Sequence, residues 1–274
     1  GIFSRSMYVV VNDEPSISYE MNIRPYVQLG DAPAGAVSDQ FAIVWQTMTL
    51  ATQGPDQDHF EVEYRLMGSS VWLPGPPPEI RYIGSESRRN HAATVVGLNF
   101  DSEYEYRLIH YRNGVALAGG THQASVKTRK SDNIVFTVSA NTGGGNFNAI
   151  GQLPLLAGIG PDLHFFNGDA VYYYGERELF RARISDIYTD LMATTPTVLV
   201  TGNHEMSNTT MSPSEAYGQP YADQVFMPDN GPAGDHGRGR NYSFDVGPVH
   251  FAVVNTGLGD TLASAVGPWL AVDL

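Results

Sequence analysis

The 274-residue sequence predicts two domains in series, with an N-terminal tail over 1–23. An all-β antiparallel sandwich spans 24–130, and an α/β domain on a largely parallel sheet spans 131–274. Three observations predict this. Short segments rich in β-branched and aromatic residues, separated by Gly, Pro, Asp and Ser clusters, fill the first half. A polar break, KTRKSDN, runs from Lys127 to Asn133. After it, apolar strand-like runs alternate with segments of helical spacing, the pattern of a sheet with crossover helices.

The tail SMYVVVNDEPSISYEM, Ser6 to Met21, is strand-like. It is expected either as an edge strand of its own domain or as a strand added to the sheet of a neighbouring subunit. FAIVWQT (Phe41 to Thr47), HFEVEYRL (His59 to Leu66), AATVVGL (Ala92 to Leu98) and EYEYRLIHYR (Glu103 to Arg112) are the sandwich strands, with Trp45 in the core. GLNFDSEYEYRL (Gly97 to Leu108) resembles the corner of a fibronectin type III domain, in which Tyr104 or Tyr106 closes a turn.

In the second half, IVFTVSA (Ile134 to Ala140) is a continuous apolar run, as expected of a strand covered on both faces. The Gly-rich loop TGGGN follows, Thr142 to Asn146, and then a short helix over Ala149 to Gly158. DLHFFNGD (Asp162 to Asp169) is a second strand, Arg177 to Thr194 one helix, and PTVLVTGNHE (Pro196 to Glu205) a third strand.

Composition excludes several function classes. The net charge of −13 sets an electrostatic barrier against a nucleic-acid backbone. No apolar run reaches the length of a membrane span. Cysteine is absent, so a metal would be held by oxygen and nitrogen alone. The first residues, GIFSRSMYVVV, lack the charged start and long apolar centre of an intact signal peptide, as a processed mature start also would. Two glycosylation sequons, at Asn208 and Asn241, point to a secreted glycoprotein.

The chemistry-bearing residues follow apolar runs. Asp169, in GDAVY (Gly168 to Tyr172), and Asn203 and His204, in GNHE (Gly202 to Glu205), stand just past two expected strand ends. In a parallel sheet those ends share one edge, where ligand sites form. A carboxylate there can bridge two cations about 3.5–4 Å apart, the separation used in two-metal hydrolysis.

These motifs resemble the purple acid phosphatases of the metallophosphoesterase superfamily, whose larger members carry a fibronectin type III-like domain. GDAVY matches the family's GDxxY and GNHE its GNHE, while YSFDVGPVHFAVVNT (Tyr242 to Thr256) and WLAVDL (Trp269 to Leu274) are also similar. The resemblance implies phosphomonoester hydrolysis at a dinuclear centre of Fe with Zn, Mn or Fe. It assigns Asp169 as the bridging ligand, Tyr172 as the phenolate ligand of the iron-like ion, and Asn203 as ligand of the second ion. His204 would contact the phosphate or leaving group as the catalytic residue. Asn141 stands where the family's GDxG motif has its aspartate, and it brings no charge to a cation. The family's VxxH and GHxH motifs, which supply three histidines, fall beyond Leu274, so the sheet is expected to be incomplete at its C-terminus.

Of the eight histidines, His59, His91, His110 and His122 are read as sandwich residues, and His164 and His250 as strand residues. His236, in GDHGRGR with Arg238 and Arg240, is the candidate replacement ligand. Three readings follow: a phosphomonoesterase needing a segment beyond this chain, a descendant without metals, and a structural or assembly subunit. The last would associate, as a homo-oligomer or assembly, through the N-terminal strand or an uncovered sheet edge.

Overall fold

The computed structural model describes residues 18–33, 35–50, 57–82, 87–144, 147–206, 218–233, 239–256 and 265–274. It is mostly β-sheet. In the first sheet β1 (Ser18–Gln28), β2 (Asp39–Leu50), β6 (Arg88–Leu98) and β5 (Glu79–Tyr82) run antiparallel in the order β1-β2-β6-β5. In the second, β3 (Asp58–Leu66), β4 (Leu73–Pro74), β7 (Glu103–Arg112) and β8 (Val115–Lys127) take the order β4-β3-β7-β8.

Side-chain alternation explains how the sheets pack. Phe41, Ile43 and Trp45 point between the sheets, against Phe60, Val62, Tyr106 and Leu108. The intervening Ala42 and Val44 are also buried, but in a different cluster, with Tyr26, Phe180, Tyr221 and Phe226. The first sheet therefore has two apolar faces. Its outer face is covered by chain that follows the sandwich.

Hydrogen bonds fix that cover. The Tyr26 hydroxyl and Gln28 Nε2 both donate to the Gln224 carbonyl, at 3.2 and 2.9 Å. Asn90 Nδ2 donates to the Asp223 carbonyl at 2.6 Å. From β7 of the second sheet, Tyr106 Oη donates to the Ala193 carbonyl at 2.9 Å. Arg129, inside the polar break, is buried. Its N and Nε each reach the Asp39 carboxylate at 2.6 Å, and its Nη1 donates to the Asp245 carbonyl at 2.8 Å. Of the two tyrosines expected to close a turn, Tyr104 does so: its hydroxyl accepts from Asn99 N at 3.1 Å.

The parallel sheet comprises β9 (Phe136–Ser139), β10 (Leu163–Asn167) and β11 (Thr197–Val200), in the order β11-β10-β9. Two expectations need correction here. β9 is an edge strand, and Phe136 and Val138 are 47% and 53% exposed rather than covered. Phe136 meets the ring of Phe251 edge-on, but that contact leaves the face of Phe136 and Val138 partly open, so continuity of apolar residues did not mean burial on both faces. The expected single helix over 177–194 is broken as well. α2 (Arg177–Phe180) passes into a π turn over Arg181–Ser185, and α3 (Thr189–Thr194) follows. Ser185 Oγ and Thr189 Oγ1 bond back to carbonyls four residues earlier, which competes with straight helix. α1 (Phe147–Ile159) forms where expected, and keeps Pro154 inside it.

The remaining elements are α4 (Gln219–Ala222), the antiparallel ribbon β12 (Tyr242–Val246) and β13 (Val249–Val253), and α5 (Val266–Asp273). Phe244 of the ribbon stacks on Phe251 and on Phe165 of β10, and Phe251 packs tilted against Phe165. Among the described residues no helix is long and apolar enough to cross a membrane. Asn241, read as a glycosylation site, is 1% exposed and its Oδ1 accepts from Asn255 N at 2.7 Å. The folded chain does not present that sequon. Asn208 and most of the tail lie outside the described residues.

Candidate functional site

The parallel register of β9, β10 and β11 carries the three following loops to one edge. Asn141 lies two residues past β9, Asp169 two past β10, and Asn203 and His204 follow β11. The crossing of the loops is tight. Gly168 has φ 79°, and a Cβ there would stand 2.8 Å from Gly202 Cα. A Cβ on Gly202 would collide with Asp169 Oδ1. Glycine is required at both positions because backbone meets backbone.

The sequence-predicted residues come together. Asp169 Oδ1 accepts from His204 N at 3.1 Å. Tyr172 Oη donates to Asn141 Oδ1 at 2.9 Å, and its ring lies 4.3 Å from that of His204, edge-on. His204 Nδ1 donates to the Tyr173 carbonyl at 2.8 Å, which leaves Nε2 as the nitrogen for a ligand. Asn141 and Asn203 are exposed, and Asp169, Tyr172 and His204 half-buried. Asp169 and Asn141 both adopt left-handed backbone, φ 53° and 56°. Partial burial, then the charges of Asp169 and Glu205, raise the Tyr172 phenol above its ordinary pKa.

Glu205 is the residue that sequence reasoning missed. It is 1% exposed, and its carboxylate accepts from Asp169 N, Val171 N and Gly202 N at 2.8, 2.7 and 2.8 Å. Burial raises its pKa, opposed by those amide bonds. A carboxylate inside a motif with no ligand role assigned to it was the available signal.

The other candidates have packing roles. His91 stacks on Trp45 at 5.0 Å, and burial lowers its pKa to about 3. His164 bonds Thr137 at 2.8 Å, and burial lowers it to about 4. His59 stacks on Tyr111, and His110 bonds Asp58. His236 and Arg238 lie outside the described residues, and Arg240 is buried with Nη2 on Gln219 Oε1 at 3.0 Å. A cavity of about 560 Å³ between α1 and residues 186–195 is lined by Leu153, Tyr188 and Leu191 and by none of the expected site residues.

No protein-family model and no curated protein matches the chain. Among solved structures it is similar to a purple acid phosphatase isolated from yellow lupin (Lupinus luteus) seeds, with 17% identity and a TM-score of 0.68. That match covers 91% of this chain and 47% of the lupin chain, so the chain spans about half the length of that enzyme. A DUF4426 family protein from Pseudomonas aeruginosa matches at a TM-score of only 0.24, with 12% identity over 44% of this chain. The fold is purple acid phosphatase-like.

That fold implies a dinuclear metal centre, and donor chemistry tests whether these residues fit one. Among the described residues Asp169 is the single carboxylate at the mouth. Glu205 commits both oxygens to backbone amides, and the Tyr172 phenol and Asn141 amide are paired with each other. Among the described residues no group of three His, Asp or Glu could hold a metal ion. Two cations about 4 Å apart repel strongly and need anionic ligands to offset it. The described residues do not fit a dinuclear centre.

Proposed function

We propose that the loop cluster around Asp169 and His204 is the phosphomonoester site of a purple acid phosphatase-type hydrolase, and that this 274-residue chain turns over poorly by itself. The convergence of Asp169, Tyr172, Asn203, His204 and Asn141 at one sheet edge carries the reading. In this reading residues 24–130 are a fibronectin type III-like domain and residues 131–274 a metallophosphoesterase-like domain, with the boundary near Ser131. The interior of the sandwich supports that division, since its cluster draws only on residues between Tyr19 and Val126.

Hydrolysis of a phosphomonoester requires neutralisation of charge at phosphorus and a proton for the leaving oxygen. His204, held by the Tyr173 carbonyl at Nδ1, has Nε2 for a substrate oxygen and in its protonated form supplies that proton. The amides of Asn141 and Asn203 orient the ester through hydrogen bonds. Secretion accords with this class of enzyme.

A second reading is a non-catalytic assembly subunit on the same scaffold. The mutual hydrogen bond of Tyr172 and Asn141 favours it, because it satisfies two expected ligands without a metal.

The deciding experiment combines metal analysis with a chromogenic phosphomonoester assay, with iron, zinc or manganese added at acidic and neutral pH. We expect little turnover and substoichiometric metal. Asn141→Asp restores a charge and should raise metal affinity by up to about tenfold, about 1.4 kcal/mol, without restoring full turnover. Robust metal-dependent turnover by the unaltered chain overturns the weak-activity claim. Absence of both metal and phosphate binding in every form overturns the phosphoesterase reading in favour of the second.

A further inference from the structure

The two site loops come from motifs 34 residues apart, at Asp169 and Asn203, yet the peptide groups of both point their N–H bonds at one side chain. Glu205 Oε2 receives Asp169 N and Gly202 N, one from each loop, and Oε1 receives Val171 N. Three convergent N–H donors in a buried place need an acceptor-only partner. Asp169 is held in left-handed backbone, which a non-glycine residue adopts at a cost unless its surroundings enforce it. Its N–H is one of the three.

We infer that Glu205 is the positioning residue of this site, and that its carboxylate, rather than any bound ion, assembles the Asp169 and His204 loops before a ligand arrives. It acts through backbone and touches no substrate. The anchored peptide at Asp169 sets where Oδ1 lies, and Oδ1 in turn holds His204 N at 3.1 Å. The consequence for turnover rests on the phosphoester reading; the assembly itself does not.

The geometry gives an uneven signature on substitution. In Glu205→Gln the single amide oxygen best replaces Oε2, which has two donors, so the NH₂ group confronts Val171 N–H. That amide then loses its acceptor while Asp169 N and Gly202 N keep theirs. Glu205→Ala removes all three.

The test is amide hydrogen exchange read by NMR on the full chain after chelator treatment. We expect protection at Asp169, Val171 and Gly202 in the metal-free wild type. In Glu205→Gln, Val171 should exchange faster by about tenfold or more, with a smaller change at the other two amides. Amides of β2 should be unchanged, and the His204 ring resonances should shift. General destabilisation would instead raise exchange at all sites together.

The inference is overturned if the three wild-type amides exchange like unprotected loop amides until metal is added. It is also overturned if Val171 is unaffected in Glu205→Gln. Should Glu205→Ala not fold, the near-isosteric Gln variant still decides. Failure of the phosphoester reading would appear in the assay and leave the exchange pattern intact.

Discussion

The two four-stranded sheets are built from similar strands but live in different surroundings. Phe41 to Thr47 of β2 are all buried, whereas β3 alternates buried Phe60 and Val62 with exposed His59 and Glu61. The outer face of the second sheet carries Arg65–Glu105 and Arg107–Glu63 ion pairs, with Trp72 beneath both guanidinium groups. The outer face of the first carries Tyr26, Ala42 and Val44, packed under later chain. An antiparallel sheet usually shows water one face; this one has lost its solvent face to a second core.

The strongest way to break this comparison is Val44→Asp. An unpaired carboxylate on that face should cost about 3–5 kcal/mol, a large share of the roughly 5–15 kcal/mol that holds a domain folded. Urea midpoints of the variant and parent measure it. A shift no larger than that of a surface variant would mean the outer face is not sealed.

A smaller effect sharpens the contrast within the β12–β13 ribbon, where β12 is buried and β13 faces outward. His250 of β13 bonds Asp245 at 2.7 Å and Asp273 of α5 at 2.9 Å, and these bonds, Asp273 first, raise its pKa. A raised folded pKa means stability fully present below the unfolded value of about 6.5 and lost as pH rises through the folded value. Docking of α5 should therefore loosen on the alkaline side, read from the Trp269 indole N–H, which donates to the Asn230 carbonyl at 2.7 Å. His250→Gln should remove that pH dependence; a Trp269 signal that titrates unchanged would break the assignment.

The smallest expected effect is Arg107→Ala, on the solvent face of the second sheet. Its partly exposed pair with Glu63 predicts a loss of about 1 kcal/mol or less. A much larger loss in the same urea titration would mean that this face too is a packed surface.

These contrasts also show what the sequence made legible. Glu103 to Arg112 is β7 to the residue, because Tyr104, Tyr106 and Leu108 alternate with the charged Glu103, Glu105 and Arg107, a period of two. Asp169, Asn203 and His204 share one edge because each follows a strand of a parallel sheet, which the order of apolar runs and motifs already implies. β8 gave no signal, since its thirteen residues are mostly small and polar and half-exposed. The role of Glu205 was hidden because its partners are backbone amides, which have no letter in a sequence. The same holds for Arg129, whose place in a charged break concealed a buried ion pair with Asp39, ninety residues earlier. His250 read as a strand residue, and its link to Asp273 depends on how α5 returns.

The doubly apolar first sheet has a consequence for the order of synthesis. The last sandwich strand ends at Lys127, but Asp223, Gln224 and Phe226, which cap the outer face, come about 100 residues later. At roughly 5–20 residues per second on the ribosome, that cap follows the last sandwich strand by roughly 5–20 s. Gln28, Gln46 and Asn90 interrupt the outer face, so the nascent surface is wet in patches. When the cover arrives, Gln28 and Asn90 take up its backbone carbonyls, and Gln46 bonds Asn90 at 2.9 Å.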